Sequence, residues 1–213
     1  MLGVKFHKLH TVLCLGAHAD DIEIGCGGTV LKLAREQPGL NFVWVVFNAK
    51  ARRRQEARAS ARAFLKGVGE RKIIVKNFRD GFFPFQGTAI KEFFETLKNT
   101  VQPDLIFTHY REDRHQDHRL LSDLAWNTFR DHLILEYEVP KYDGDLGHPN
   151  CFVPLDQNLC RLKVEQICAF FQTQTNKRWF SADTFLSLMR LRGMECASKT
   201  GCAEAFYCRK VVL

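Results

Sequence analysis

The chain is expected to fold as an α/β protein, a parallel sheet covered by helices on both faces. Three observations predict it. Short, uninterrupted apolar runs recur through the first two-thirds of the 213 residues. Amphipathic segments separate them at the spacing of strand–helix units. The polar residues that carry chemistry stand just after two of those runs, where open α/β sheets gather their sites.

Taken in order, Thr11–Gly16 (TVLCLG) is a short buried strand, and residues 29–36 (TVLKLARE) continue a helix opened near Gly27-Gly28. Residues 42–47 (FVWVVF) are a second buried strand, followed by a helix over 53–65. Residues 72–75 (KIIV) are a third strand, with a helix from about 89 to 100. Residues 105–108 (LIFT) are a fourth, with a helix over about 117–132. The last third, about 133–213, breaks this rhythm. Two candidate strands, 133–139 and 151–155, flank a loop rich in Gly, Asp, Pro and Asn at 141–150. Helices near 159–172 and 183–192 and a final strand at 205–212 complete it, with Ser181 as N-cap of the second helix.

An apolar fraction of 46% and 18 Phe supply one generous core, so 1–213 reads as a single domain and disorder is excluded. No window is apolar for long enough to span a bilayer. The start, MLGVKFHKLHTVLCLGAHADD, lacks a small-residue cleavage site and runs into a charged motif, which favours a first strand over a signal peptide. A cytoplasmic location is expected. Eight Cys without a CxxC pair read as reduced residues of the core.

The net charge of +7 raises nucleic acid as a partner. The dense cluster Arg52-Arg53-Arg54 lies inside a helical pattern, however, and no RNP signature, KH loop or zinc finger accompanies it. An anionic small molecule or a modestly basic surface is the more economical reading, and no nucleic-acid partner is expected.

Two polar constellations follow strands. Ala17-His18-Ala19-Asp20-Asp21 comes after the first, ahead of Gly25-Cys26-Gly27-Gly28-Thr29; Asp113-Arg114-His115-Gln116-Asp117-His118 comes after the fourth. A catalytic zinc takes three His or carboxylate ligands and keeps one position for water. His18 and Asp21 converge where strand turns into helix, and His118 supplies the third ligand from the neighbouring strand end. Asp20 then remains as a carboxylate suited to take a proton from water, and His115 as a second ionisable group suited to protonate a leaving amine. Each motif has an ordinary alternative: a solvated HxxH pair, an Asp-Asp helix cap, or a glycine-rich phosphate loop whose spacing matches neither GxGxxG nor a Walker loop. Their order and shared placement at strand ends favour the metal site.

His18-Ala19-Asp20-Asp21 with Gly-Gly-Thr, and a distant Asp-x-His-x-Asp-His, resembles the LmbE-like (PIG-L) deacetylase family from about residue 11 to 132. The resemblance implies a Rossmann-like, mostly parallel α/β fold with a C-terminal substrate-binding extension. It implies one Zn2+, or Fe2+, since a His2Asp set suits both, and hydrolysis of an N-acetyl amide on an amino sugar or sugar nucleotide. It places metal ligands at His18, Asp21 and His118, the base at Asp20, and His115 as transition-state stabiliser or acid. Arg53, in Arg53-Arg54-Gln55-Glu56, becomes a substrate contact, and Asp80, in Asp80-Gly81-Phe82, a sugar contact. Plainer roles stand beside these, a solvated helix face for Arg53 and a turn for Asp80. The sequence departs from the family at Ala19, where Pro is common, and at Asp113, where some members carry a carbonyl-polarising Tyr. Residues 137–150 are expected to border the substrate, and Phe82, Phe83 and Phe85 to be lid or core. Other zinc hydrolase chemistry and a non-catalytic binding module are the alternatives, and a homo-oligomer is compatible with the sequence.

Overall fold

The computed structural model describes Gly3 and residues 9–212, so residues 1–2 and 4–8 of the opening segment weighed as a signal peptide lie outside the described residues. The elements run β1 (Thr11–Gly16), α1 (Asp21–Glu36), β2 (Asn41–Val46), α2 (Ala51–Phe64), β3 (Arg71–Val75), α3 (Gly87–Thr100), β4 (Leu105–His109) and α4 (Gln116–Thr128). They continue with β5 (Leu133–Tyr137), β6 (Cys151–Pro154), α5 (Gln157–Phe170), α6 (Ala182–Glu195) and β7 (Ala203–Cys208). The seven strands make one sheet in the order β3-β2-β1-β4-β5-β7-β6. β1 to β5 pair in parallel, whereas β7 runs antiparallel to both β5 and β6. The strand order reverses between β1 and β4, which opens a crevice at their carboxyl ends.

Alternation along each strand divides the core between the two faces. Val12, Cys14, Phe42 and Trp44 pack on one side with residues of α1, α2, α5 and α6. Leu13, Leu15, Val43, Val45 and Ile106 pack on the other with residues of α3 and α4. Helices thus cover both faces, which is why the central strands are apolar throughout. No helix among the described residues is long and apolar enough to cross a membrane. All eight cysteines are free; Cys151, Cys168 and Cys208 are only half-buried and so stand outside the expected core set.

The bounds of three elements, α1, α4 and β7, differ notably from expectation. α1 begins at Asp21 rather than near Gly27, although glycine is a poor helix former. Close packing accounts for the glycines inside it. A Cβ at Gly27 would meet the Phe64 ring at 2.7 Å, and one at Gly25 would overlap the ring of Tyr137. α4 stops at Thr128, four residues early, because β5 begins at Leu133 and the chain needs the intervening residues to turn. β7 starts at Ala203 and ends at Cys208, set by its pairing with β6 and β5. Ser181 does cap α6, its hydroxyl accepting from the Thr184 amide.

Candidate active site

The early start of α1 sets the geometry. β1 ends at Gly16 and α1 begins at Asp21, so His18, Asp20 and Asp21 occupy one tight strand-to-helix turn. Next door, β4 ends at His109, and the loop after it brings His115 to the N-cap of α4 and His118 into its first turn. Both segments open on one cavity of about 690 Å³, lined by His18, Asp20, Asp21, Arg53, Asp80, His115 and His118 among others. All seven residues predicted for the site therefore share a single cavity.

Three of them converge on a point. His18 Nδ1 lies 3.3 Å from Asp21 Oδ2 and 3.1 Å from His118 Nε2, and the Asp21–His118 edge is 3.5 Å. Metal–ligand bonds of about 2.0–2.2 Å at tetrahedral angles require edges of about 3.3–3.6 Å. The donor triangle therefore fits a small divalent ion. Other groupings of donor atoms overlap it, namely His18 with His115 and His118, Asp21 with His109 and His118, and His18 with Asp80, His115 and Asp117. Prior hydrogen bonds occupy several of those donors. His109 Nε2 accepts from the Ala17 amide at 2.9 Å, and His115 Nδ1 from the Asp117 amide at 3.2 Å.

The surroundings support the triangle. His118 Nδ1 faces Asp113 Oδ2 at 2.9 Å, and His18 Nε2 faces Asp80 at 3.0 Å and Asp117 at 3.4 Å. Each imidazole thus turns its second nitrogen to a carboxylate, the arrangement that orients a metal-binding histidine. Burial, with help from His109, pushes His118 down to about 3, so it is a neutral imidazole with Nε2 free to donate its lone pair. Burial also opposes charge on His18, but Asp21, Asp117 and Asp80 outweigh it and raise its pKa well above the usual value. The same cluster of carboxylates favours any cation placed there. Burial acts upward on Asp21 too, yet His118, His18 and His109 hold its carboxyl well below the ordinary range.

Asp20 is set apart from its neighbour. It occupies the N-cap of α1 without capping it through its side chain. Its Oδ1 accepts from Arg53 Nη2 at 2.8 Å, while its Oδ2 is buried and has no hydrogen-bond partner among the described residues. Burial raises the Asp20 carboxyl, and Arg53 pulls it back only in part. Arg53 is steadied in turn by Glu56 at 3.8 Å, and Glu56 accepts from both the amide and hydroxyl of Thr173. The arginine cluster is therefore divided: Arg53 faces the cavity, Arg54 donates to the carbonyls of Ala49 and Lys76, and Arg52 is exposed.

Asp80 serves a turn and the cavity together. Gly81 follows it with φ +72°, a backbone state that glycine adopts freely. Asp117 secures this turn by accepting from the amides of Gly81 at 2.7 Å and Phe83 at 3.0 Å. Phe83 is core, whereas Phe82 and Phe85 are exposed. From residues 137–150, Val139, Lys141, Tyr142 and Asp143 line the cavity, while Tyr137 is buried in the sheet. His148 is exposed and does not line the cavity.

Four contributors went unassigned in the sequence. Asp113 stood out only as a missing Tyr, and Asp117 had no role although it lies inside the second motif. His109 was placed beyond the end of its strand, yet the rule that sites gather at strand ends points straight to it. Lys141, 3.0 Å from Asp113, lies in the segment 137–150 expected to border the substrate but had no role of its own there.

The PIG-L family, described as GlcNAc-PI de-N-acetylase, matches residues 13–129, more than half of the chain. The uncharacterized deacetylase YaiS of Escherichia coli (strain K12) is 32% identical over 145 residues, which are 63% of this chain and 76% of YaiS. The N,N'-diacetylchitobiose deacetylase of Pyrococcus horikoshii, solved with its inhibitor MPG, superposes with a TM-score of 0.73 at 23% identity, covering 94% of this chain and 84% of that one. GalB, the 4-carboxy-2-hydroxymuconate hydratase of Pseudomonas putida KT2440, superposes at 0.71 with 15% identity, covering 96% and 98%. At these identities the two structures speak for the fold alone. The family match spans both motifs, those that follow β1 and β4, and the chain belongs to the PIG-L (LmbE-like) deacetylase family.

Proposed function

We propose that the protein is a metal-dependent hydrolase that removes the N-acetyl group from an amino sugar, sugar nucleotide or glycoconjugate. One observation carries the reading: a triangle of His18 Nδ1, Asp21 Oδ2 and His118 Nε2 with edges of 3.1–3.5 Å, flanked in the same cavity by Asp20 Oδ2, which has no partner among the described residues. His18, Asp21 and His118 would hold Zn2+ or Fe2+. Bound there, the ion makes water more acidic and polarises the acetyl carbonyl.

The chain's own groups do the rest. Asp20 takes a proton at Oδ2 from the attacking water while Arg53 fixes its other oxygen. Burial raises the Asp20 carboxyl, which suits it to hold that proton and pass it to the departing nitrogen. Water adds to the acetyl carbon, the C–N bond breaks, and the products are acetate and a free amine. Burial lowers the His115 pKa, so it acts better as a neutral donor to the developing oxyanion than as a cationic acid. Its Nδ1 accepts from the Asp117 amide, which leaves the proton on Nε2. That hydrogen bond would take over the work of the Tyr absent at position 113. Arg53 and Asp80 line the space in which the sugar would lie.

The test is a screen of metal-reconstituted protein against N-acetyl sugars and sugar nucleotides, read by mass spectrometry for loss of acetyl. Metal-dependent release from at least one is expected. Release from none, by protein shown to bind metal, would overturn the amino-sugar reading and leave another acyl group, or a water addition such as GalB's name describes, as the reaction to seek.

A further inference from the structure

After β5 the chain leaves the sheet, and residues 138–150 belong to no strand or helix. From 138 to 149 they make no backbone-to-backbone hydrogen bond among the described residues. This segment nonetheless supplies Val139, Lys141, Tyr142 and Asp143 to the cavity wall. A wall without a hydrogen-bond ladder keeps its place through individual side-chain ties, and regions with few such ties open first.

The ties at its two ends converge on Arg192. This residue stands on α6, is 4% exposed and lies outside the cavity. Its Nε and Nη2 donate to the two oxygens of Glu138 at 2.9 and 2.7 Å, a bidentate pair, and Nη2 also donates to the Gly147 carbonyl at 3.1 Å. One guanidinium thus gathers both ends of the segment. Nη1 donates to Glu195 at 2.8 Å, so no nitrogen of the group is idle. The anchor is itself fixed. A Cβ at Gly193 would meet backbone atoms of Gly201 and Cys202 at 2.4–2.5 Å, so α6 lies hard against the turn into β7. Glu138 accepts in addition from the Tyr207 hydroxyl at 3.2 Å, and a Cβ at Gly147 would sit 2.5 Å from that same hydroxyl.

Between these ends the side chains lead to the site. Lys141 pairs with Asp145 and, at 3.0 Å, with Asp113, the carboxylate that faces His118. Asp145 accepts from the Arg114 amide at 2.7 Å, and the Tyr142 hydroxyl accepts from the Arg178 amide at 3.3 Å. Arg192 hydrogen-bonds to none of the proposed metal ligands or catalytic groups, so any effect on them runs through this segment.

We propose that Arg192 is a positioning residue: by holding Glu138 and Gly147 together it sets the wall formed by residues 139–143, against which the substrate binds beyond its acetyl group. The proposal rests on the amino-sugar deacetylation above. Without the guanidinium, Glu138 would be left buried and unpaired and the Gly147 carbonyl would lose its donor, so the segment would move out to water.

The test uses Arg192→Met/Glu138→Gln, which removes both charges and leaves neither buried alone. Beside it stands the conservative Arg192→Lys, whose ammonium lacks the fork that grips Glu138 and Gly147 together. On metal-saturated protein, kcat and KM are measured with the best substrate of the acetyl-release screen. The double variant should raise KM at least about tenfold and keep kcat within about threefold, the mark of lost binding rather than lost chemistry. Arg192→Lys should fall between it and the parent. With no substrate present, trypsin digestion read by mass spectrometry follows the bond between Lys141 and Tyr142. The double variant should be cut there at least about tenfold faster than the parent, while cleavage within the sheet stays equally slow. An unchanged KM, with or without the cut, would overturn the positioning role, and so would a raised KM without the cut. Loss of kcat with digestion throughout the chain would also overturn it, leaving the pair as a support of the fold alone. If the parent turns over no N-acetyl sugar yet the double variant is cut after Lys141, the hold of Arg192 on the wall stands and the deacetylation reading falls.

Discussion

Asp113 Oδ2 lies 2.9 Å from Nδ1 of His118, five residues ahead of the imidazole it orients. The same oxygen is 3.0 Å from Lys141 Nζ, so a lysine from the loop after β5 steadies a carboxylate that steadies a proposed ligand. Removing such an orienting partner typically costs about 10–100-fold in metal affinity or activity. Asp113→Ala should therefore weaken the metal by that order, measured by competition with a chromogenic chelator. An unchanged metal affinity would mean that the His118 orientation is held by packing alone.

Asp20 and Asp21 are adjacent carboxylates with different proposed tasks. Asp21→Ala should lose metal and activity together. Asp20→Asn should keep its metal and lose ~10²–10⁴-fold in turnover, the usual cost of a missing general base. Metal content and kcat measured side by side decide it. Loss of metal in Asp20→Asn, with activity regained on metal resupply, would reverse the assignment.

Arg53 should be visible in the pH profile. Asp20 must be ionised to accept a proton, and the Arg53 cation is what limits the rise that burial imposes on its pKa. Arg53→Met removes that cation, so the Asp20 carboxyl should titrate higher. The acid limb of kcat/KM should then move to more alkaline pH, with Arg53→Lys moving it less. A limb that stays in place while KM alone increases would make Arg53 a substrate contact with no hold on Asp20.

Glu23 gives a stability test outside the cavity. It is fully buried on α1, with neither carboxylate oxygen hydrogen-bonded among the described residues, and burial raises it to about 8. An unfolded Glu titrates near ~4.3. Between those values the folded chain keeps a proton that the unfolded chain has lost, so stability falls as pH rises through this window and levels off above it. Glu23→Gln cannot titrate, and its stability relative to the parent should grow by roughly 3 kcal/mol between pH 5 and pH 8. Denaturant melts of both proteins across that range measure the difference. A constant offset would show that Glu23 is ionised inside the fold.

Much of the architecture was legible in the chain. The apolar runs TVLCLG, FVWVVF, KIIV and LIFT are short and continuous, as strands under helices are, and each marks a real strand, although β3 at the sheet edge leaves Lys72 exposed. That His18, Asp21 and His118 meet in one cavity was legible because each stands just past such a run, within or beside the first turn of a helix. The start of α1 was not, because three glycines argue locally against a helix and only the rings of Tyr137 and Phe64, with Leu155 and Glu204 against Gly28, explain them. Propensity is a local quantity, and those rings arrive from distant parts of the chain.

The sequence by itself determined the class of fold, the strand order of the motifs and the residue types able to bind a metal. Tertiary structure decided which donors remain free. His109 was engaged by the Ala17 amide, His115 by the Asp117 amide, and Asp117 by the turn at Gly81 and Phe83. It also decided that Asp20 keeps one buried oxygen unpartnered among the described residues while Arg53 holds the other. Spacing along a chain can bring side chains to one end of a sheet. Which lone pairs are already spent depends on backbone amides and loops that meet only when the sheet has formed, and burial then sets the charge that each group can carry.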